Sequence, residues 1–127
     1  MTQKYEGFVP GSHEIESFGA GGFRFADMSH RGSILVLPYG ICAWDVKSPA
    51  EITPESLQLV LAEPVGSIDL LLIGTGEFLL PIHQDVRAAL KEAGIGVDPM
   101  ASAHAIATYN ILLAEKRRVA AALLAVS

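Results

Sequence analysis

The chain of 127 residues has a single cysteine, Cys42. That excludes an internal disulfide and fits a reducing compartment. Positive charge is scarce as well: nine Lys and Arg against fourteen Asp and Glu give a net charge of −5. Phosphate binding needs a basic footprint, so no nucleic-acid partner is expected. The Lys116-Arg117-Arg118 cluster is too small to reverse that balance. No apolar run approaches the roughly eighteen residues that span a bilayer, so no direct membrane insertion is expected. The first seven residues, Met1 to Gly7, lack the apolar stretch of a secretory signal, and a cytoplasmic location is the resulting expectation. The four histidines, His13, His30, His83 and His104, form no H-x-x-x-H pair, and Cys42 has no partner at a zinc spacing. No metal site is expected on that pattern. There is also no G-x-S-x-G nucleophile elbow, no P-loop and no completed G-x-G-x-x-G. The sequence therefore offers no catalytic set and calls for no cofactor, and the reading leans away from an enzyme.

What is present is apolar: half of the residues, with 18% charged. That composition and length fit one globular domain over residues 1–127, opening with a loose arm over 1–13 that holds Gly7, Pro10 and Gly11. The stretch Ser67–Glu77 organises the rest. Ile68 to Ile73 is apolar except for Asp69, and does not alternate as a strand with one wet face would. A short continuous run of this kind, ended by Gly74-Thr75-Gly76-Glu77, predicts a strand buried on both faces. Before it, the pattern predicts antiparallel strands over Glu14–Phe18, Phe23–Ala26, Ser33–Leu37 and Ile41–Val46. Turns fall at Gly19–Gly22, Ser29–Gly32 and Pro38–Gly40. Thr53-Pro54-Glu55 reads as a helix start. After the glycine loop, Ile82, Val86, Ala89, Leu90 and Ala93 share one helical face, with Gly94 placed to cap it. Ile95-Gly96-Val97 reads as a very short strand closed by Asp98-Pro99. Ser102–Glu115 reads as a helix packed on more than one side, and Val119–Val126 as a final buried strand. Hairpins followed by α-β-α-β-α-β make an α/β domain with right-handed crossovers. Leu71, Ile73, Leu90 and Leu112 are the expected core.

The residues Asp69-Leu70-Leu71-Leu72-Ile73-Gly74-Thr75-Gly76-Glu77, Gly94-Ile95-Gly96-Val97, Met100, and Thr108-Tyr109-Asn110-Ile111-Leu112-Leu113-Ala114-Glu115 resemble a known family. So do Arg117-Arg118-Val119-Ala120-Ala121-Ala122-Leu123, Phe18-Gly19, Phe23-Arg24 and Trp44. It is the domain-of-unknown-function family that includes mitochondrial respiratory complex I assembly factor three, the adipogenesis-associated human protein and many small bacterial members. The resemblance implies a three-layer fold: a central mixed sheet of about five strands, helices on one side, and a β-hairpin layer plus a helix on the other. It implies a last strand antiparallel to the rest. It also implies an assembly-factor-like function through a protein partner, a respiratory-complex or membrane-associated one included, and leaves a homo-oligomer open. This chain departs from the family pattern at Ala107, where members commonly carry arginine before Thr-Tyr-Asn, and at Ala101, where an acid or hydroxyl is common.

Two stretches are candidates for binding a ligand. Gly74, Thr75, Gly76 and Glu77 end a parallel strand, where ligands of open α/β sheets bind, and could cradle an anion or present Glu77 as a base. Met100-Ala101-Ser102 opens the long helix, whose free N–H groups favour anions; Ser102 is equally placed to be its N-cap. Thr108 and Asn110 are poor helix formers in mid-helix, which points to buried hydrogen bonds. Such bonds would be structural or would belong to the same cleft. A small anionic ligand between the glycine loop and the helix start is thus the alternative to a protein-binding role.

Overall fold

The computed structural model describes residues 7–127. A six-stranded mixed sheet carries the fold, in the order β1-β6-β5-β9-β7-β8. Its strands are β1 (Phe8–Pro10), β5 (Ser33–Leu37), β6 (Gly40–Trp44), β7 (Leu70–Gly74), β8 (Gly96–Met100) and β9 (Val119–Leu123). A separate antiparallel sheet contains β2 (Ser17–Gly19), β3 (Gly22–Phe25) and β4 (Met28–Arg31). Among the described residues there are three α-helices: α1 (Gln58–Leu61), α2 (Gln84–Glu92) and α3 (Ser102–Ala114).

The alternation of side chains along the central strands divides the interior into two cores. Leu71 and Ile73 of β7, Ala120 and Ala122 of β9, and Leu35 and Leu37 of β5 meet Leu57 just before α1, Val60 of α1, and Val86 and Leu90 of α2. On the other face Leu72, Ala121, Leu123, Ile34 and Val36 meet Ala105, Ile106 and Tyr109 of α3, with Phe23 and Phe25 of the small sheet. The result is three layers, as the resemblance implies, with six strands in the central one. Both faces of β7 are covered, which explains its unbroken apolar run. Ala121 of β9, small and on the α3 face, lets α3 approach closely. Strand β7 runs to the edge strand β8 through α2, and β8 returns through α3 to β9 on the other side of β7. Moving outward and then back with right-handed crossovers puts α2 and α3 on opposite faces.

Several expectations are corrected. Strand β9 is parallel to its neighbour β7 and antiparallel to its other neighbour β5, because α3 is a crossover and not a hairpin. Part of the expected loose arm is ordered: Phe8–Pro10 pairs with Gly40–Cys42 at the sheet edge, where a proline is tolerated. The rest of that arm up to residue 6 lies outside the described residues. Met28–Arg31 is a strand, not a turn; the reversal sits at Ala26 and Asp27, both with positive φ (50° and 59°), as a tight hairpin turn requires. Asp98 and Pro99 do not close β8 but lie inside it, since its outer edge is unpaired. The helix expected from Thr53 begins as a short 3-10 turn at Glu55–Leu57 before α1. Of the expected core residues, Leu71, Ile73 and Leu90 are fully buried, whereas Leu112 is only partly so.

Candidate functional site

Strands β7 and β8 are parallel with Gly74 opposite Met100, so their carboxyl ends finish level. That register brings the glycine loop against the start of α3, and direct hydrogen bonds join them. The Ser102 N–H donates to the Gly76 carbonyl (2.8 Å), and the Gly76 N–H donates to Ser102 Oγ (3.0 Å). Ser102 Oγ in turn donates to the carbonyl of Leu124, just past β9 (2.7 Å), and Ser102 is fully buried. Ser102 is therefore a rivet between three segments. It is the first residue of α3; Ala101, with no side-chain capping bond, takes the N-cap position.

Thr75 works in the same way. Its N–H donates to the Met100 carbonyl (2.9 Å). Its Oγ1 lies 2.6 Å from the Phe78 carbonyl and 3.2 Å from that of Met100, and accepts from the Leu80 N–H (3.0 Å). Gly74 has no room for a side chain: a Cβ there would sit 2.8 Å from Ser102 Oγ and 3.0 Å from both Ser102 Cα and Leu123 Cδ2. Gly76 has φ +102°, a conformation that favours glycine. The N–H groups of Thr75, Gly76 and Ser102 are thus bound within the protein. Glu77 is exposed.

Along α3, Thr108 Oγ1 contacts Met100 Sδ (3.8 Å), so it belongs to the same cluster. Asn110 does not. Two residues on, it faces another side of the helix and grips Ile15: its Oδ1 accepts from the Ile15 N–H and its Nδ2 donates to the Ile15 carbonyl, both at 2.9 Å. The amide imitates a neighbouring strand and fastens the segment before β2 to α3. Tyr109, between them, is buried, and burial raises its pKa to about 12. Burial also raises the pKa of the Cys42 thiol, opposite to what an activated nucleophile needs. Among the described residues, no group of three or more His, Cys, Asp or Glu could hold a metal ion.

Phe78, Leu79 and Leu80 follow Glu77 and belong to no helix or strand. They are 69%, 62% and 43% exposed, an apolar ridge leading from the glycine loop toward α2. Thr75 Oγ1 fixes both ends of that ridge through Phe78 and Leu80. In the sequence its residues are an apolar triplet outside any periodic pattern.

A family model described as "Protein of unknown function (DUF498/DUF598)" matches residues 15–124. The chain belongs to this family. It is 40% identical over 111 residues to NADH dehydrogenase [ubiquinone] 1 alpha subcomplex assembly factor 3 of Danio rerio, covering 87% of the chain and 63% of that protein. An uncharacterized protein of Rhodobacter capsulatus is 34% identical over 124 residues, covering 98% of the chain and 93% of that protein. The chain thus spans under two thirds of the Danio rerio assembly factor and nearly all of the Rhodobacter protein. Among solved structures, one described as an outer membrane protein from Bartonella henselae is similar with TM-score 0.88 and 48% identity, over 93% of the chain and 98% of that one. The Rpa2829 protein of Rhodopseudomonas palustris is similar with TM-score 0.80 and 42% identity, over 98% and 93%. No helix among the described residues is long and apolar enough to cross a membrane.

Proposed function

We propose that this domain acts by binding a protein, as an assembly-factor-like module in the cytoplasm, and not by catalysis. The observation that carries this reading is the Phe78–Leu80 ridge. Three consecutive large apolar side chains stand in solvent on a segment anchored through Thr75. Contiguous exposed apolar surface of this kind marks contact sites, and anchoring lowers the entropy lost on docking. The family's assembly-factor members give the same direction, since the Danio rerio relative is named for assembly of the NADH dehydrogenase alpha subcomplex. The small-anion alternative has less support, because the N–H groups of Thr75, Gly76 and Ser102 are already bonded to protein acceptors.

A photo-reactive residue at position 79 tests the proposal in cells that carry this chain. It should yield one discrete protein adduct that Phe78→Ser abolishes; an adduct of twice the chain's mass would identify the partner as a second copy. Absence of any protein adduct from position 79 would overturn the reading.

A further inference from the structure

The outer face of the small sheet carries a different chemistry from the apolar ridge. In the register of β2, β3 and β4, Ser17, Arg24 and Ser29 lie opposite one another, as do Gly19, Gly22 and Arg31. Phe23, Phe25 and His30, at the alternate positions, are buried against the main sheet. The six outward residues all line a shallow cavity of about 670 Å³. Its floor is backbone at Gly19 and Gly22. Arg24 and Arg31 are diagonal neighbours, their stems roughly 7 Å apart.

Two guanidinium groups on one small face are unusual in a chain with a net charge of −5. Among the described residues, one acid answers Arg24 and none answers Arg31. Glu16 Oε1 lies 3.7 Å from Arg24 Nε, while Glu16 Oε2 accepts from the Asp27 N–H (3.2 Å) at the hairpin turn. Arg24 also donates from Nη1 to Ser29 Oγ (3.3 Å), so its fork is oriented and its remaining N–H groups are open. The Arg31 guanidinium has no hydrogen-bond or ion-pair partner among the described residues. Phe18, paired with Phe23, belongs to the opposite face of β2.

We propose that this face binds an acidic peptide segment, with side-chain carboxylates on Arg24 and Arg31. Guanidinium forks match carboxylates in a bidentate geometry; Ser29 adds a hydroxyl beside both arginines and Ser17 one on the far side of Arg24. The shallowness of the face selects a segment over a small molecule. Small-ligand sites enclose most of their ligand, whereas this face covers one side only, and a strand-like segment crossing it reaches both arginines. This site is separate from the Phe78–Leu80 ridge, and stands or falls independently of it.

Amide NMR titration of the full chain with capped hexaglutamate tests the assignment, with capped hexaglutamine and inorganic phosphate as comparison probes. Hexaglutamate should shift the amides of Ser17, Arg24, Ser29 and Arg31, and added salt should weaken it. Arg24→Gln and Arg31→Gln should each weaken binding about tenfold, the loss of one charge-assisted contact. Arg31→Gln should melt like the wild type, which separates lost binding from lost folding. Shifts that are absent from this face, equal with hexaglutamine, larger with phosphate, or unchanged in Arg31→Gln would overturn the proposal.

Discussion

Replacing Asn110 by alanine should unfold this protein at a markedly lower temperature. The side-chain amide makes two 2.9 Å hydrogen bonds to the backbone of Ile15, and Ile15 is 2% exposed. Alanine removes both partners and leaves a buried N–H and a buried carbonyl without them. Each stranded group costs about 1–3 kcal/mol, and partial access of water to the half-buried Asn110 site keeps the sum near the lower end, roughly 2–4 kcal/mol. Against a total stability of about 5–15 kcal/mol this is a large fraction. For a domain of this size it corresponds to roughly 10 °C in the melting temperature. Asn110→Asp sharpens the test. A carboxylate still accepts from the Ile15 N–H but turns a second acceptor toward the Ile15 carbonyl, so it should not restore stability at neutral pH. Calorimetry of the three proteins reads the result. An Asn110→Ala protein that melts within about 1 °C of the wild type would refute the structural assignment. If it also lost a binding activity, Asn110 would belong to a functional cleft instead.

Leu71→Ala, at a fully buried position of β7, should cost about 2–5 kcal/mol in denaturant unfolding; an unmoved midpoint would argue against the central strand. Gly74→Ala should destabilise by about 1–3 kcal/mol, because its methyl must displace Ser102 or Leu123. An unshifted melting curve would show that α3 does not approach β7 as described. His30 is buried, and desolvation holds its pKa below the ordinary 6.5 despite the opposing effect of its 3.2 Å contact with the Ser33 carbonyl. The unfolded chain therefore binds the proton more readily, and stability should fall as pH drops below about 6.5. His30→Gln should flatten that part of the stability–pH curve, and an equally steep curve would refute the role of His30.

The parts of the fold that could be read from the sequence are those whose pattern has a single physical solution. The unbroken apolar run of β7 requires cover on both faces, and the spacing of Ile82, Val86 and Leu90 admits only a one-faced helix. The edge strands were harder. Phe8–Pro10 is too short and too interrupted by Gly7 and Pro10 to show a period, and it is a strand only because β6 offers a partner. Strand β8 contains Pro99, which argues against a central strand but not against an edge. At the candidate site, the sequence placed the glycine loop beside the start of α3, since parallel crossovers bring those ends together. It could not show that Ser102 and Gly76 would satisfy each other, because that depends on a register of about one residue. Nor could it show that Phe78–Leu80 lies in solvent: an apolar triplet without periodicity fits a core as well as a surface. The two arginines of the small sheet were hidden for a related reason, since Arg31 fell in a stretch read as a turn.

The claim that this domain works through a protein contact at Phe78–Leu80 is tested most directly by native mass spectrometry of the gently captured chain, wild type beside Phe78→Ser/Leu79→Ser. Both side chains are mostly exposed, so the double variant should keep the wild-type melting temperature. The wild type should carry a stoichiometric protein partner, and the variant should appear without it. A wild type that carries no protein but holds a small anion, retained equally by the variant, would contradict the account.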